Sequence, residues 1–376
     1  MRRPIQNTAL LVASLIVAVI LLEIGLRLLT PFPVTTTTNR IEHSRLGYTL
    51  SPALADVDER GFRNTGQKLE DADLAIIGDS HVYGNNVTSE DSFPAILASE
   101  TGRNVYNLGV GSYGIYQYKV LMDDMLQYSI RDVILALYPA NDLVFHCEVL
   151  NTEYWRSYIK DTGLSVPDCK DRNGPDQKTT MRGMLKRFLL GTATVQIILD
   201  LRRRMVDLDT DLGRILNEEA YWFDENQFVS KEQVRDHALA TSLEDPDVRT
   251  NFENSQKFLI EGKQKLASAS VGLVVVIIPS KEQVLYEWMA GRGRDGPAEF
   301  ARFVKNEIFL TSEYISFFEK NDIAYVDALP DVVSALDNTL KEGGKFYKNW
   351  DGHPYRRGYE AYSKAAIRAL ERKATN

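Results

Sequence analysis

The chain has 376 residues, enough for one large domain or two modest ones, and its 44% apolar and 26% charged residues are typical of a globular protein. Its 44 basic and 52 acidic residues give a net charge of −8, which argues against a nucleic-acid partner. The five histidines and two cysteines show no spacing of the zinc-site kind, and nothing in the sequence calls for a metal or an organic cofactor.

The N-terminus carries an apolar segment. Residues 8–22 contain no charged side chain, and the apolar character continues beyond them, interrupted by Glu23 and Arg27. The segment reaches the roughly 20 residues that a bilayer core requires if Arg27 snorkels to the far interface. A cleaved signal peptide is the alternative, but no small-x-small cleavage site follows the apolar run. We therefore predict a signal-anchor helix within residues 1–30 that contacts the lipid bilayer through residues 8–30.

Two arginines, Arg2 and Arg3, set the orientation of this predicted anchor. Basic residues before a first membrane helix stay in the cytoplasm, so the chain after about residue 31 is expected outside it. A disulfide is permissible there, and Cys147 and Cys169 are the only cysteines that could form one. Their pairing would close a loop of about 20 residues and contribute about 3 kcal/mol, whereas two buried thiols are the alternative.

After a tether and domain entry at residues 31–69, short apolar runs alternate with helical patterns. The continuously apolar runs, typical of strands covered on both faces, are residues 74–77, 105–108, 133–137, 271–278 and 324–326. The helical patterns are residues 93–100, 116–127, 254–267, 311–320 and 359–371. This alternation predicts an α/β fold whose parallel sheet has helices on both faces. Right-handed crossovers then place the loops that follow the strands along one edge of the sheet.

The alternation lapses in residues 143–250, which we predict to be a helical insertion in a domain of residues 70–376. A long helical candidate spans residues 181–205, and three consecutive arginines end its apolar face. A basic amphipathic helix of this kind can bind a membrane surface. The alternative, which we favour, is a helix that packs on the domain as part of a cap over the site.

Polar and glycine-rich stretches follow the first three predicted strands, and a fourth precedes the last helix. They are Gly78-Asp79-Ser80, residues 107–114, Asn141-Asp142 and Asp351-Gly352-His353. Ligands of open parallel sheets bind at the carboxyl ends of the strands. We therefore expect all four stretches to meet in one crevice.

Ser80 is the candidate nucleophile of this crevice. A serine hydroxyl needs a base to accept its proton, and His353 is the candidate, with Asp351 to fix the imidazole tautomer. An oxyanion needs preorganised donors, which the main-chain N–H groups of Ser80 and of residues 109–114 and the Asn141 side chain could supply.

Each of these residues also has a purely structural interpretation. Ser80 could cap a helix, Asn141-Asp142 could form a turn, and His353 could be an exposed residue before a helix. Their conjunction at strand ends favours catalysis, with Asp79 and Asp142 in supporting roles. His81 is expected to point away from the serine hydroxyl, because adjacent side chains on such a turn diverge.

Three runs of the sequence resemble a known family: IIGDSHVYGNNVTSEDSFPAILASETGRNVYNLGVGSYGIYQ, VVVIIPSKEQVLY and DGHPYRRGYEAYSKAAI. They are similar to membrane-anchored bacterial members of the SGNH subgroup of the GDSL lipase/esterase superfamily. The resemblance covers residues 70–145 and 270–370. It implies a three-layer α/β/α sandwich with a mostly parallel, flavodoxin-like five-stranded sheet. It also implies Ser80 as nucleophile, Asp351 and His353 as the rest of the triad, and Asn141 in the oxyanion hole.

The sequence departs from the family pattern in three places. Pro139 stands where the third block usually has glycine. Ser112 occupies the glycine position of the second block, with Gly111 beside it, so the main-chain N–H of either residue could be the oxyanion donor. Only one residue separates the aspartate from the histidine in the last block, a form found among polysaccharide O-acetyltransferases of the family.

The resemblance implies a serine esterase held in a bacterial cell membrane by a single helix, with its catalytic domain in the periplasm or outside the cell. Its expected substrate is an ester, an O-acetyl group on a polysaccharide in the first instance. A polysaccharide O-acetyltransferase that uses the same triad is the alternative. A third hypothesis is a non-catalytic glycan-binding module that stacks sugars on aromatic side chains: Tyr113, Tyr116, Tyr118, Tyr138, Trp155 and Tyr158.

Overall fold

The computed structural model describes residues 40–144, 147–167, 220–223, 227–294, 296, 298–348 and 351–375, together with four isolated positions between residues 14 and 21. One compact unit consists of residues 41–172 and 214–376, and a second consists of residues 1–40 and 173–213. Within the described ranges, no helix is long and apolar enough to cross a membrane. The anchor predicted at residues 8–30 and the helical candidate at residues 181–205 lie almost wholly outside the described residues, so both stay predictions.

The first unit in the sequence order of its strands is built as follows. The strands are β1 (Arg40–His43), β2 (Gly47–Leu50), β3 (Leu74–Gly78), β4 (Val105–Gly109), β5 (Asp132–Leu137), β6 (Ala220–Trp222), β7 (Phe228–Ser230), β8 (Gly272–Ile277) and β9 (Ala324–Asp327). The helices are α1 (Ser80–Tyr83), α2 (Phe93–Thr101), α3 (Ile115–Met125), α4 (Cys147–Leu150), α5 (Glu153–Thr162), α6 (Lys231–Ala240), α7 (Pro246–Ser268), α8 (Lys281–Ala290), α9 (Ala298–Lys320), α10 (Leu329–Lys341) and α11 (Arg356–Thr375). Single 3₁₀ turns lie at Leu69–Asp71 and Ser89–Asp91.

The central sheet is parallel, and its strand order is β4-β3-β5-β8-β9. Counted in chain order within the sheet, this is 2-1-3-4-5, the order of flavodoxin-like folds. The register pairs Ile77 of β3 with Leu108 of β4 on one side and with Leu135 of β5 on the other. The predicted α/β fold with a parallel five-stranded sheet is therefore confirmed, and each predicted strand lies within one residue of an observed one.

Alternating side chains of the sheet enter two separate cores. Ala75 and Ile77 pack in one core with α3, α7 and the C-terminal half of α9. Leu74 and Ile76 pack in the other with α2, α8, α10 and α11. Because both faces of β3 are covered, its sequence is continuously apolar instead of alternating.

Several helices differ from the sequence prediction. Helix α7 begins at Pro246, eight residues before the predicted start, because Asp245 caps it: its carboxylate accepts the main-chain N–H groups of Asp247 and Val248 at 2.8 and 3.2 Å. Helix α9 begins at Ala298 instead of residue 311. Helices α8 and α10 were not expected at all, and the described part of residues 143–250 contains strands as well as helices.

The two cysteines of the predicted disulfide are described unequally. Cys147 is the first residue of α4 and is half-buried. Cys169 lies outside the described residues. Their pairing therefore stays a prediction.

Candidate active site

The nucleophile candidate lies on a tight turn between β3 and the one-turn helix α1. Ser80 is the first residue of α1, and Asp79 is its N-cap: the Asp79 carboxylate accepts the main-chain N–H of His81 at 2.9 Å. Gly84 ends the helix with a φ of 87°, a left-handed conformation that favours glycine. The helix is therefore capped by Asp79, not by Ser80, and the serine hydroxyl is left for other partners.

The catalytic loop, residues 351–353, lies before α11 and reaches this turn. His353 Nε2 is 2.6 Å from Ser80 Oγ, although the two residues are 273 positions apart in the chain. The other ring nitrogen, Nδ1, contacts Oδ1 of Asp351, and the same oxygen accepts the main-chain N–H of His353 at 2.9 Å. The structure thus brings together Ser80, His353 and Asp351 as the sequence predicts, in the hydrogen-bonded order of a serine–histidine–aspartate triad.

The charges of the pair shift both of its pKa values. Burial lowers the pKa of His353, but the Asp351 charge and hydrogen bond outweigh burial, so the net shift is upward. Burial raises the pKa of Asp351, but the positive charge and hydrogen bonds of His353 outweigh it and hold that pKa well below its usual range. The aspartate is therefore ionised at neutral pH, and the imidazole is made more basic.

The neighbouring histidine is buried and engaged elsewhere. The ring centroid of His81 lies 4.5 Å from that of His353 and 4.3 Å from that of Tyr138, and its Nδ1 is 3.3 Å from the Tyr362 hydroxyl. Burial, followed by the charge of His353, keeps the pKa of His81 well below its usual value. His81 is thus a neutral packing partner of His353, and His353 is the histidine bonded to the serine.

The turn after β5 lies against the nucleophile turn. The Asn141 side chain hydrogen-bonds the Asp79 carboxylate, and Ser80 Oγ is 3.3 Å from Asp79 Oδ2. The Asn141 carbonyl oxygen Oδ1 is buried and has no hydrogen-bond partner among the described residues. Burial raises the pKa of Asp79 despite these hydrogen bonds.

Asp142 holds that turn in place. Its carboxylate accepts the Tyr118 hydroxyl and the main-chain N–H of Tyr138, each at 2.7 Å. Burial and then the charge of Asp79 keep the pKa of Asp142 well above its usual range. Asp142 therefore fixes the position of Asn141 and does not itself face the serine.

The end of β4 approaches the nucleophile helix closely. The main-chain N–H of Val110 donates to the carbonyl of Gly78 at 3.4 Å. A Cβ atom on Gly109 would lie 2.3 Å from the main-chain nitrogen of Tyr83, so only glycine fits there. Asn107 braces the same contact, because its side chain donates to Val82 O at 3.1 Å and accepts the Gly109 N–H at 2.8 Å.

The two predicted main-chain oxyanion donors follow this close approach. Ser112 adopts a φ of 66°, so a serine here takes up the left-handed conformation that glycine would adopt without strain. The Tyr48 hydroxyl lies 3.0 Å from the carbonyl oxygens of both Gly111 and Ser112. The carbonyls of the turn are thus held by Tyr48, and the donor role of either N–H stays a prediction.

Three side chains that contact the catalytic loop were missed from the sequence. Asn86 Nδ2 donates to the His353 carbonyl at 3.2 Å, and its side chain also hydrogen-bonds the triad aspartate. Lys281 Nζ is 3.4 Å from the carbonyl oxygen of Asp351, and Gln233 of α6 covers Gly352. The tandem asparagines after Gly84 were the only signal, since asparagine tolerates the φ of 69° found at Asn86.

The aromatic side chains of the glycan-binding hypothesis are mostly core residues. Those with at most 3% of their surface exposed are Tyr113, Tyr116, Tyr118, Tyr138 and Trp155. Tyr158 is partly exposed, but it packs against Trp155 and Lys119. As folded, these rings do not form a sugar-stacking surface beside the triad.

In the part of the chain that the structure describes, no group of three or more histidine, cysteine, aspartate or glutamate side chains could hold a metal ion. The triad needs none, because the serine, the histidine and the aspartate supply the nucleophile, the base and its orienting group.

Comparison with known proteins gives structural neighbours but no sequence match. No family model matches the chain, and no curated protein matches it. Among solved structures, a protein from Desulfitobacterium hafniense assigned to the lipolytic G-D-S-L family is 15% identical with a TM-score of 0.38, over 79% of this chain and 98% of that one. A lipolytic G-D-S-L family member from Veillonella parvula is 9% identical with a TM-score of 0.36, over 80% and 98%. Two neighbours are thus GDSL-family proteins.

A third neighbour is a psychrotrophic esterase from a Pseudoalteromonas species, which is 10% identical with a TM-score of 0.34, over 81% of this chain and 98% of that one. The family that the first two descriptions name is the one that the sequence motifs resemble. We base nothing further on these likenesses, because their TM-scores are low.

Proposed function

We propose that the chain is a serine esterase of the SGNH type that forms an acyl-enzyme on Ser80. The observation that carries this proposal is the 2.6 Å separation of His353 Nε2 from Ser80 Oγ, with Asp351 on the other ring nitrogen. A hydroxyl, a base and an orienting carboxylate in this order are what acyl transfer from an ester requires.

The first half of the reaction acylates the serine. Ser80 Oγ attacks the ester carbonyl carbon while His353 Nε2 takes the hydroxyl proton. Asp351 stabilises the resulting imidazolium, and the tetrahedral intermediate carries its negative charge on the former carbonyl oxygen. Collapse of this intermediate breaks the bond to the leaving alkoxide, which takes the proton from His353.

The second half discharges the acyl group. A water molecule gives a proton to neutral His353 and attacks the acyl carbon, and collapse of the second intermediate returns the proton to Ser80 Oγ. The products are a carboxylic acid and the free enzyme. If a sugar hydroxyl replaces water, the same steps yield a new ester, so the triad serves an O-acetyltransferase equally.

The oxyanion hole in this proposal uses three donors. An asparagine amide has two N–H donors, so Asn141 can hydrogen-bond Asp79 with one and the oxyanion with the other. The main-chain N–H of Ser80 and that of Gly111 or Ser112 complete the set. Each such donor is worth about 3 kcal/mol of barrier.

The substrate class that we propose is an O-acetyl ester of a polysaccharide outside the cytoplasm. It is supported by the apolar N-terminal segment with its preceding arginines and by the short spacing of the aspartate and histidine in the last block. Membrane anchoring through residues 8–30 is part of the same proposal. Cell fractionation tests it: recovery of the intact chain in the soluble fraction would contradict the anchor.

Hydrolysis of p-nitrophenyl acetate by the full chain in mild detergent tests the esterase proposal. We expect wild type to turn over the ester and Ser80→Ala to lose at least about 10³-fold in kcat/KM. Ser268→Ala is the matched control, because this exposed serine at the end of α7 bonds only the nearby Lys265 carbonyl in the described structure. Equal rates for wild type and Ser80→Ala would refute the proposal.

Trapping the acyl-enzyme separates the esterase from the transferase. The chain is acylated with p-nitrophenyl acetate, quenched, and analysed by mass spectrometry for an acetyl group on Ser80. The rate of loss of that group is then measured with and without added oligosaccharide. Faster loss with transfer of acetate to the sugar supports the transferase, whereas unchanged loss to water supports the esterase.

A further inference from the structure

A buried lysine lies at the start of α8. Lys281 is only 2% exposed, and Ser280 caps the helix just before it by accepting the Gln283 N–H at 3.0 Å. Lysine is almost never fully buried without a specific reason, because its ammonium loses hydration. The position of this ammonium therefore calls for an explanation.

The ammonium of Lys281 lies against the catalytic loop. Its Nζ is 3.4 Å from the main-chain carbonyl oxygen of Asp351 and 5.4 Å from the ring centroid of Tyr347. Tyr347 in turn forms a β-bridge with Pro354, the residue after His353. Lys281 thus contacts the main chain at one end of the loop and the side chain that holds its other end.

The loop depends on such contacts for its shape. Residues 351–353 belong to no helix or strand, so their main chain is not fixed by a ladder of hydrogen bonds. Asn86 holds the carbonyl of His353 at 3.2 Å, and Lys281 approaches the carbonyl of Asp351. The orientation of both triad side chains on this loop follows from where these two carbonyls are held.

We propose that Lys281 is a positioning residue of the triad: its buried ammonium holds the main chain at Asp351 and so keeps Asp351 and His353 aligned with Ser80. The proposal rests on the proposed function for its effect on catalysis. Lys281 touches neither Ser80 nor the imidazole in the described contacts, so it acts through the loop and not on the substrate.

The energetics separate this role from a structural one. Burial lowers the pKa of Lys281 to about 8, so its charge is held in the folded state at a cost to stability. An apolar side chain of similar length would avoid that cost. A lysine kept for stability alone would therefore be a poor choice, whereas one kept to hold the loop would be retained in spite of the cost.

Lys281→Met in the full chain tests the proposal, with Lys119→Met as the matched control. Lys119 is also buried, at 3% exposure, but it lies on α3 and pairs with Asp123 at 2.6 Å. We expect Lys281→Met to lower kcat for p-nitrophenyl acetate by about 10- to 100-fold at nearly unchanged KM, because misplaced catalytic groups lose rate. Its Tm should stay equal or rise, whereas Lys119→Met should lower Tm and keep kcat within about twofold.

Hydrogen exchange gives a readout that does not need activity. Peptides covering residues 351–358 should exchange their amide hydrogens faster in Lys281→Met than in wild type, and at the wild-type rate in Lys119→Met. Unchanged exchange, or a folded Lys281→Met with wild-type kcat, overturns the positioning role. If wild type and Ser80→Ala hydrolyse esters alike, the esterase proposal fails, and exchange still decides whether Lys281 holds the loop.

Discussion

His353 can accept the serine proton only as the neutral imidazole, and Asp351 raises the pH at which that form prevails. Because the net pKa shift of His353 is upward from 6.5, the pH dependence of kcat/KM should show an acid limb with its midpoint above 6.5. Activity is then lost as pH falls through that pKa. The measurement is the pH–rate profile of p-nitrophenyl acetate hydrolysis by the full chain.

Asp351→Asn is the matched test of the cause. Removing the carboxylate charge should move the acid limb to lower pH and reduce kcat by about 10³- to 10⁴-fold, since the imidazole also loses its orienting partner. An acid limb at or below pH 6.5 in wild type would contradict the assignment of His353 as base. So would a limb that stays in place in Asp351→Asn.

At Ser112 the proposed donor is the main-chain N–H, so the side chain should be dispensable. Ser112→Gly relieves the strain of a φ of 66° and should raise the free energy of unfolding by up to about 1 kcal/mol. Ser112→Ala keeps the strain and removes only the hydroxyl. Both variants should keep kcat within about threefold of wild type, measured by hydrolysis and by chemical denaturation. Loss of activity in Ser112→Ala alone would assign the role to the hydroxyl.

The triad candidates were predictable from the sequence because each lies in a short motif next to a strand or helix end. Ser80 follows a continuously apolar strand, and His353 follows Asp351 by two positions just before a helical pattern. The supporting contacts were not predictable in this way. Asn86 meets His353 across 267 positions, and Lys281 meets Asp351 across 70, so only the tertiary fold reveals these pairs.

The element that carries the nucleophile depends on two glycines at the ends of adjacent strands. Gly78 and Gly109 pair in the register of β3 and β4, and α1 lies directly over them. A Cβ on Gly109 would lie 2.3 Å from Tyr83 N and 2.6 Å from Val82 C, both main-chain atoms that move only with the helix. The position of α1, and of Ser80 with it, is therefore set by the absence of a side chain at Gly109.

Gly109→Ala should displace α1 and separate its serine from His353. We expect a loss of about 1–3 kcal/mol in the free energy of unfolding and roughly 100-fold in kcat. The matched control is Gly102→Ala at the end of α2, where a Cβ would meet no atom within 4 Å and the φ of 66° carries only a backbone cost. The control should lose stability but keep kcat. Equal kcat in the two variants would contradict the argument.

Among the elements, the strands were easier to predict than the helices. Strands buried on both faces leave a continuous apolar run such as Leu74–Gly78, which no neighbouring pattern imitates. Helix α7 was predicted short because its first turns lie beside the insertion, where the Asp245 cap was not recognised. Helix α6 was hidden for a similar reason, yet it brings His237 to 3.3 Å from Glu282 and Gln233 to the catalytic loop.

At the scale of the whole molecule, buried ionisable groups link stability to pH. Burial raises the pKa of Glu307 to about 7 and lowers that of Lys281 to about 8. Glu307 accepts the main-chain N–H of Ser280 at 2.9 Å, next to Lys281, so the two groups share one region behind the catalytic loop. They titrate in different ranges, because the folded and unfolded pKa values of Glu307 both lie below those of Lys281.

The lysine makes the protein more stable as the pH rises above about 8. Its pKa is about 8 in the folded chain against 10.5 as the reference, so between these values the unfolded chain binds more protons, and the free energy of unfolding increases with pH. Below pH 8 both states are protonated and burial costs about 3 kcal/mol. Lys281→Met lacks this cost, so its advantage in unfolding free energy should be largest below pH 8 and should vanish towards pH 10.5.

Guanidinium unfolding of wild type, Lys281→Met and Lys119→Met at several values between pH 7 and 10.5 measures this difference. The control should behave in the opposite sense, because Asp123 outweighs burial and raises the pKa of Lys119, so its stabilising contribution is present below 10.5 and lost only above it. A pH-independent difference between wild type and Lys281→Met would mean that the ammonium is solvated or neutralised in the folded chain. The same result would remove the energetic reason to regard Lys281 as retained for the catalytic loop in spite of its cost.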